Sequence, residues 1–111
     1  MQQSSIELMD VFKIKKRSLL QIVAEILESL MSSPIRKTHI SFKCNLDSRT
    51  ISKYIEMMEF TYLIEKSPKH NSYYQITQAG IHYLEQYNSF IALLDEDKIK
   101  LIQYHNKISL S

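Results

Sequence analysis

The sequence predicts a mainly α fold of the α+β kind, with three helices, a small β-hairpin and a long final helix. Three observations predict it. Apolar residues recur at three- and four-residue steps within residues 17 to 32, 48 to 60 and 84 to 108, the spacing of amphipathic helices. Two short runs of strand-like composition, Tyr62 to Lys66 and Ser72 to Ile76, flank a turn-forming stretch from Ser67 to Asn71. Pro34 and the segment Asn45-Leu46-Asp47-Ser48 supply the breaks between helices.

The first helix is expected from Arg17 to about Ser32, with Leu19, Leu20, Ile22, Val23, Ile26, Leu27 and Leu30 on its apolar side. Pro34 disfavours helix at Ser33 and has no N–H to donate, so the chain turns there. A second, short helix follows from about Lys37 to Cys44, with Ile40 as its core residue and His39 as a packing residue. Asn45 tolerates left-handed backbone angles, Leu46 fills the gap between helices, and Asp47 or Ser48 caps the next helix. That third helix, about Ser48 to Phe60, places Ile51, Tyr54, Ile55 and Met58 on one stripe. Arg49, Thr50, Ser52, Lys53 and Glu56 fall off it.

The hairpin comes next, and Tyr73 and Tyr74 alternate across its second strand, one toward the core and one toward solvent. Thr77 is placed to cap the last helix. Its Leu84, Tyr87, Ile91, Leu94, Lys98, Leu101, His105 and Ile108 form a heptad-like seam. The 24 residues from Leu84 to Ile108 would span about 36 Å as helix, longer than a domain this small can cover, so the distal half calls for a partner, most economically a second copy. Asp95-Glu96-Asp97 offers an alternative, a break near Leu94 that would shorten the coil. Residues 1 to 16 carry apolar residues without a clean period and are read as an N-terminal arm or short extra element.

With 111 residues there is room for one domain and an accessory element. The single cysteine, Cys44, forms no intramolecular disulfide, no signal-peptide pattern opens the sequence, and no apolar run approaches the roughly 20 residues of a membrane span. A cytoplasmic protein with no membrane partner is expected. The net charge of +2 is small, but it is unevenly spread. Residues 36 to 75 hold seven Lys and Arg against four Asp and Glu, residues 76 to 111 hold three against four, and the first 35 balance. His39, His70, His82 and His105 are scattered, no nucleophile–base pair or phosphate-cradling glycine loop is visible, and neither metal, cofactor, small-molecule ligand nor enzymatic activity is expected.

Helix, turn, helix, hairpin and helix in this order describe a winged helix-turn-helix, an arrangement that usually holds DNA. The residues resemble an archaeal winged helix-turn-helix family whose small members are DNA-binding dimers joined by an antiparallel coiled coil of their C-terminal helices. Lys16-Arg17-Ser18, Lys37-Thr38-His39-Ile40, Asn45-Leu46, Lys53-Tyr54 and then Tyr74, Ile76, Thr77, Gly80, Leu84 and Tyr87 carry the resemblance over residues 15 to 92. Tyr62 stands where that family has a glycine, and Phe60 and Thr61 replace charged residues, so the end of the third helix is expected to be built differently.

On this basis residues 17 to 76 form the DNA-binding domain and residues 77 to 111 the coiled-coil dimerisation helix. Arg49 and Lys53, one helical turn apart, reach base edges or phosphates in a major groove, with Ser48, Thr50 and Ser52 adding hydrogen bonds. Lys37 and Thr38 meet a phosphate at the second helix N-terminus, with Lys43 adding charge on the same helix. Lys69, His70 and Asn71 at the wing tip touch the minor groove or the backbone, as the resemblance implies. The expected protein is a nucleoid-associated, double-stranded-DNA-binding homodimer that regulates transcription or packs chromatin. The alternative is a winged-helix module that binds other proteins and no DNA, a reading the modest charge favours.

Overall fold

A computed structural model describes residues 17–94 of the chain. Helix α1 (Leu19–Ser29) leads through a bend to the two-residue strand β1 (Ile35–Arg36), which runs directly into helix α2 (Lys37–Cys44). Helix α3 (Ser48–Phe60), strands β2 (Ile64–Lys66) and β3 (Tyr73–Ile76), and helix α4 (Gln78–Leu93) follow. The three strands form one antiparallel sheet in the order β1-β3-β2, with Ile35 opposite Tyr74 and Ile64 opposite Ile76.

Three of the four described helices start at a side-chain cap. Ser18 accepts from the Gln21 N–H, Asp47 from Thr50 and Thr77 from Gly80, each satisfying one of the N–H groups that a helix start leaves orphaned. The Thr77 hydroxyl also lies 2.6 Å from the Tyr62 carbonyl and 3.0 Å from that of Leu63, so the start of α4 is tied to the end of α3.

Both turns that reverse the chain between α2 and β2 use left-handed residues. Asn45, at φ 54°, closes α2, with the Leu46 N–H reaching back to the Ser41 carbonyl. Tyr62, at φ 61°, closes α3. There the Leu63 N–H donates to the Met58 carbonyl at 2.9 Å and the Tyr62 N–H to that of Glu59 at 3.1 Å, the two bonds of a Schellman motif. The expectation of a different helix end is therefore corrected. Tyrosine occupies the glycine-type conformation itself, at a steric cost of roughly 1 kcal/mol, with its ring 77% exposed.

The core lies where α1, α2, α3 and the start of α4 converge on the sheet: Ile26, Leu27, Ile40, Ile51, Met58 and Ile64 are its largest fully buried side chains. Gly80 lets α4 pack closely against the chain just before β2, the end of β3 and α1, since a Cβ there would crowd the Leu63 carbonyl oxygen and lie 2.7 Å from Ile76 Cγ1 and 3.1 Å from Leu27 Cδ2. Arg17 straps the domain entrance to the end of α2, donating to Glu25 at 2.5 Å and to the Cys44 and Asn45 carbonyls at 2.6 and 3.1 Å. Two of the carbonyls that α2 leaves open are thereby satisfied by a cation, the sign that a helix C-terminus favours.

Several expectations are corrected. The first helix stops at Ser29 instead of about Ser32, because Leu30 takes the C-cap and the chain bends toward Pro34. Leu19 and Leu20 are exposed, while Ile22, Val23, Ala24, Ile26 and Leu27 form the buried side. The strands are shorter than expected, and β1 was unforeseen. His39 is exposed. The final helix ends as helix at Leu93, and Leu94 caps it with its N–H turned back to Ile91. Of the expected seam, Leu84, Tyr87 and Ile91 lie on this helix and Leu94 at its described end. Leu84 is only 5% exposed and belongs to the chain's own core. Lys98, Leu101, His105 and Ile108 lie outside the described residues, as does the segment 1–16.

Candidate nucleic-acid interface

Helix α3 presents the face that matters. Ile51, Ile55 and Met58 are buried, which turns Arg49, Lys53 and Glu56 outward. Arg49 and Lys53 stand one turn apart on the exposed side, as their spacing implied. Ser48 is exposed, whereas Thr50 and Ser52 are half-buried along the edge of the helix. The backbone N–H of Thr50 is taken by the Asp47 carboxylate at 2.7 Å. That bond, with further help from the Thr50 side chain, holds the Asp47 carboxyl below its ordinary pKa of 3.8.

Lys37, in the first turn of α2, donates from Nζ to Ser52 Oγ at 3.2 Å. Lys37 and the outward face of α3 therefore form one surface. Alone among the four helices described, α2 has no side-chain cap, since Arg36 occupies the N-cap position with extended backbone angles and makes no such bond. The N–H groups of its first turn are left with the positive end of the helix dipole and two adjacent cations, a setting that attracts a phosphate.

A cleft of about 480 Å³ opens beside this helix start, lined by Arg36, Lys37, Thr38, Ser72 and Tyr74. Its far wall is the wing. The pairing of Arg36 with Tyr73 in the β1–β3 ladder brings the guanidinium to 5.4 Å from the Tyr73 ring centroid, an attractive cation–π geometry. On the loop side the His70 ring lies 5.0 Å from the same ring. Lys69, His70 and Asn71 are exposed at the wing tip, where the Ser67 N–H donates to the Tyr73 carbonyl at 2.8 Å and closes the loop. Tyr74 packs against the core and Tyr73 holds the outer pair of rings, the alternation that the strand period required.

Lys43 is not brought to this surface. It lines a separate hollow with Arg17, Glu25, Glu28, Ser29, Cys44 and Asn45 on the α1 side. Burial, followed by the nearby charge of Glu25, pushes the Cys44 thiol above its ordinary value, so it packs as a neutral group. Arg36 and Ser72 are the residues that sequence reasoning missed. The adjacent pair Arg36-Lys37 was a visible signal, but β1 is too short to show a strand pattern, and only its pairing with β3 turns Arg36 toward the wing.

Among the described residues no group of three or more His, Cys, Asp or Glu stands where it could hold a metal ion, and no helix is long and apolar enough to cross a membrane.

The fold is similar to that of Lactococcus lactis ZitR solved in complex with DNA, with a TM-score of 0.57 and 15% identity, covering 96% of this chain and 92% of that one. It is also similar to the adhesin competence repressor AdcR from Streptococcus pyogenes, with a TM-score of 0.55 and 12% identity over 99% and 95% of the two chains. A third is the PcaV transcriptional regulator from Streptomyces coelicolor, solved with its natural ligand, with a TM-score of 0.51 and 13% identity over 99% and 87%. At such identities the likeness is one of fold. No protein of curated function matches the sequence. The winged helix-turn-helix family model matches residues 16–95, more than two thirds of the chain. With its three-stranded sheet and the helix pair α2 and α3 joined by a tight turn, this chain belongs to the winged helix-turn-helix family.

Proposed function

We propose that this chain is a DNA-binding transcription regulator that acts as a homodimer and carries out no catalysis. The observation that carries the reading is the continuity of one cationic surface. Arg49 and Lys53 project from α3, Lys37 is bonded to Ser52 beside them, and Arg36 lies against the wing next to an uncapped helix start. In this reading α3 enters the major groove, with Arg49 and Lys53 reaching base edges and Ser48 and Ser52 at its flank. Lys37, Thr38 and Arg36 hold a phosphate, and Lys69, His70 and Asn71 follow the neighbouring backbone or minor groove.

Dimerisation is assigned to the end of α4 and beyond, through Leu94, Leu101 and Ile108, with Lys98 and His105 setting register. The exposure of Leu93 and Leu94 supports it. Leu84 drops out of the contact set, being spent in its own core.

The second reading, a module that binds proteins, is favoured by Phe42 and Phe60, each 84% exposed. One experiment separates the two: affinity for a random DNA duplex as a function of salt, with a mass determination on the same sample. A log–log slope of about −4 or steeper corresponds to four or more phosphates neutralised. That slope with a dimer mass supports the proposal. Absence of binding at low salt defeats it in favour of the protein-binding module, and binding by a monomer defeats the dimer alone.

A further inference from the structure

Where α1 begins beside the second half of α4 lies an apolar groove of about 630 Å³. Leu20 forms one wall and Tyr83, Tyr87, Phe90 and Ile91 the other. Phe90 is 59% and Ile91 46% exposed. Tyr83 and Tyr87 lie ring over ring with centroids 6.4 Å apart, and the Tyr83 hydroxyl donates to the Leu20 carbonyl at 3.0 Å, which fixes the two walls relative to each other. This is a preformed slot with a mostly apolar lining.

We infer that the occupant is the chain's own N-terminal segment, residues 6 to 14. The chain enters the domain at the rim of the slot, since Ser18 and Leu20 both line it. Sixteen residues precede Arg17, and six of the nine from Ile6 to Ile14 are apolar: Ile6, Leu8, Met9, Val11, Phe12 and Ile14. The slot runs along α4 from Tyr83 to Ile91, about 12 Å at the helical rise. Nine residues span about 13 Å even when coiled as helix, and about 30 Å when extended. The segment is long enough to fill the slot in either form without leaving its rim. Arg17 anchors the junction by its three bonds to Glu25, Cys44 and Asn45, so the segment leaves from a fixed point. A tether this short holds the segment at an effective concentration of about 1 mM, and a contact with a dissociation constant of about 10 µM is then occupied in roughly 99% of chains.

The sequence contains no tryptophan, which makes Phe12→Trp a unique reporter in the full chain. In that variant the indole is shielded from acrylamide, to the same degree at nanomolar and micromolar protein. Adding Phe90→Asp, or separately Ile91→Lys, raises the quenching constant roughly threefold or more as the docked population collapses. Both sites are exposed, so the fold survives, which circular dichroism verifies. Adding Phe60→Asp, at a site more exposed still and on a different helix, leaves quenching unchanged. An indole as accessible as free tryptophan, or indifferent to Phe90→Asp and Ile91→Lys, overturns the inference. Shielding that disappears on dilution overturns it too, because the slot then holds the segment of a second copy. None of these readouts involves DNA, so failure here is distinct from failure of the regulator reading.

Discussion

Lys37 Nζ and Ser52 Oγ are 3.2 Å apart, a single hydrogen bond that joins the first turn of α2 to the outward face of α3. On the proposed reading it links the half of the cationic surface assigned to phosphate with the half assigned to bases. The two halves should still respond differently to mutation. Arg49→Ala is expected to cost about 1–3 kcal/mol of affinity for a preferred site, roughly 5- to 150-fold, and to relax preference at one base pair. Lys37→Ala should weaken all sequences alike and reduce the salt slope by about 1. Titrations of both variants on specific and random duplexes at several salt concentrations check this. Identical behaviour of the two would contradict the assignment.

Tyr62 predicts a stabilising substitution. It holds φ at 61° with its ring in solvent, so little packing offsets the steric cost of the left-handed conformation. Tyr62→Gly should raise stability by about 0.5–1 kcal/mol, which for a domain of this size is an increase of roughly 2–8 °C in Tm. A fall in Tm would show that the ring makes contacts that outweigh the strain.

Gly80 should behave in the opposite way. Its requirement is one of space, for the methyl of alanine would meet the Leu63 carbonyl oxygen and sit 2.7 Å from Ile76 and 3.1 Å from Leu27. Backbone cannot yield as a side-chain tip can, so Gly80→Ala should cost about 1–3 kcal/mol despite the better helix propensity of alanine. Urea unfolding curves of the two proteins measure it. A stabilised variant would mean that α4 shifts freely against the Leu63 backbone.

The Asp47 cap sets an acid limit. Its carboxyl is held below 3.8 in the folded chain, chiefly by the Thr50 N–H, whereas the unfolded chain has the ordinary value. The unfolded state therefore binds the proton first as pH falls. The stabilisation is complete above about pH 4 to 5 and is lost as pH drops through the folded value. Asp47→Asn keeps an acceptor for the cap but removes the charge. It should flatten the decline in urea midpoint between pH 5 and about pH 2.5, and an unchanged acid limb would remove Asp47 from the account.

Much of the candidate site is legible in the sequence. Ile51, Ile55 and Met58 recur at helical steps, and that alone turns Arg49 and Lys53 outward. Asn45, Asp47 and Thr77 announced their roles by chemistry, since few other residue types take a left-handed turn or cap a helix so well, and each does so. Arg36 was not legible, because a two-residue strand has no period and its direction comes from Tyr73 across the ladder. Lys43 lies on another side of the domain. It shares α2 with Lys37, but its position six residues on turns it toward α1.

The sequence by itself determined the order of the described helices and the hairpin, the boundaries of α2 and α3 and the buried stripe of α3, because periodicity, caps and turn residues act over a few neighbouring positions. Tertiary structure alone decided what lies between elements: the third strand, the Arg17 strap, the cleft between α2 and the wing, and the burial of Leu84 in the core of its own domain. Helical spacing places Leu84, Tyr87, Ile91 and Leu94 on one line, but it says nothing about which surface that line meets. Contacts between residues tens of positions apart depend on how the helices pack around Ile26, Ile40 and Met58, and no local pattern encodes that packing.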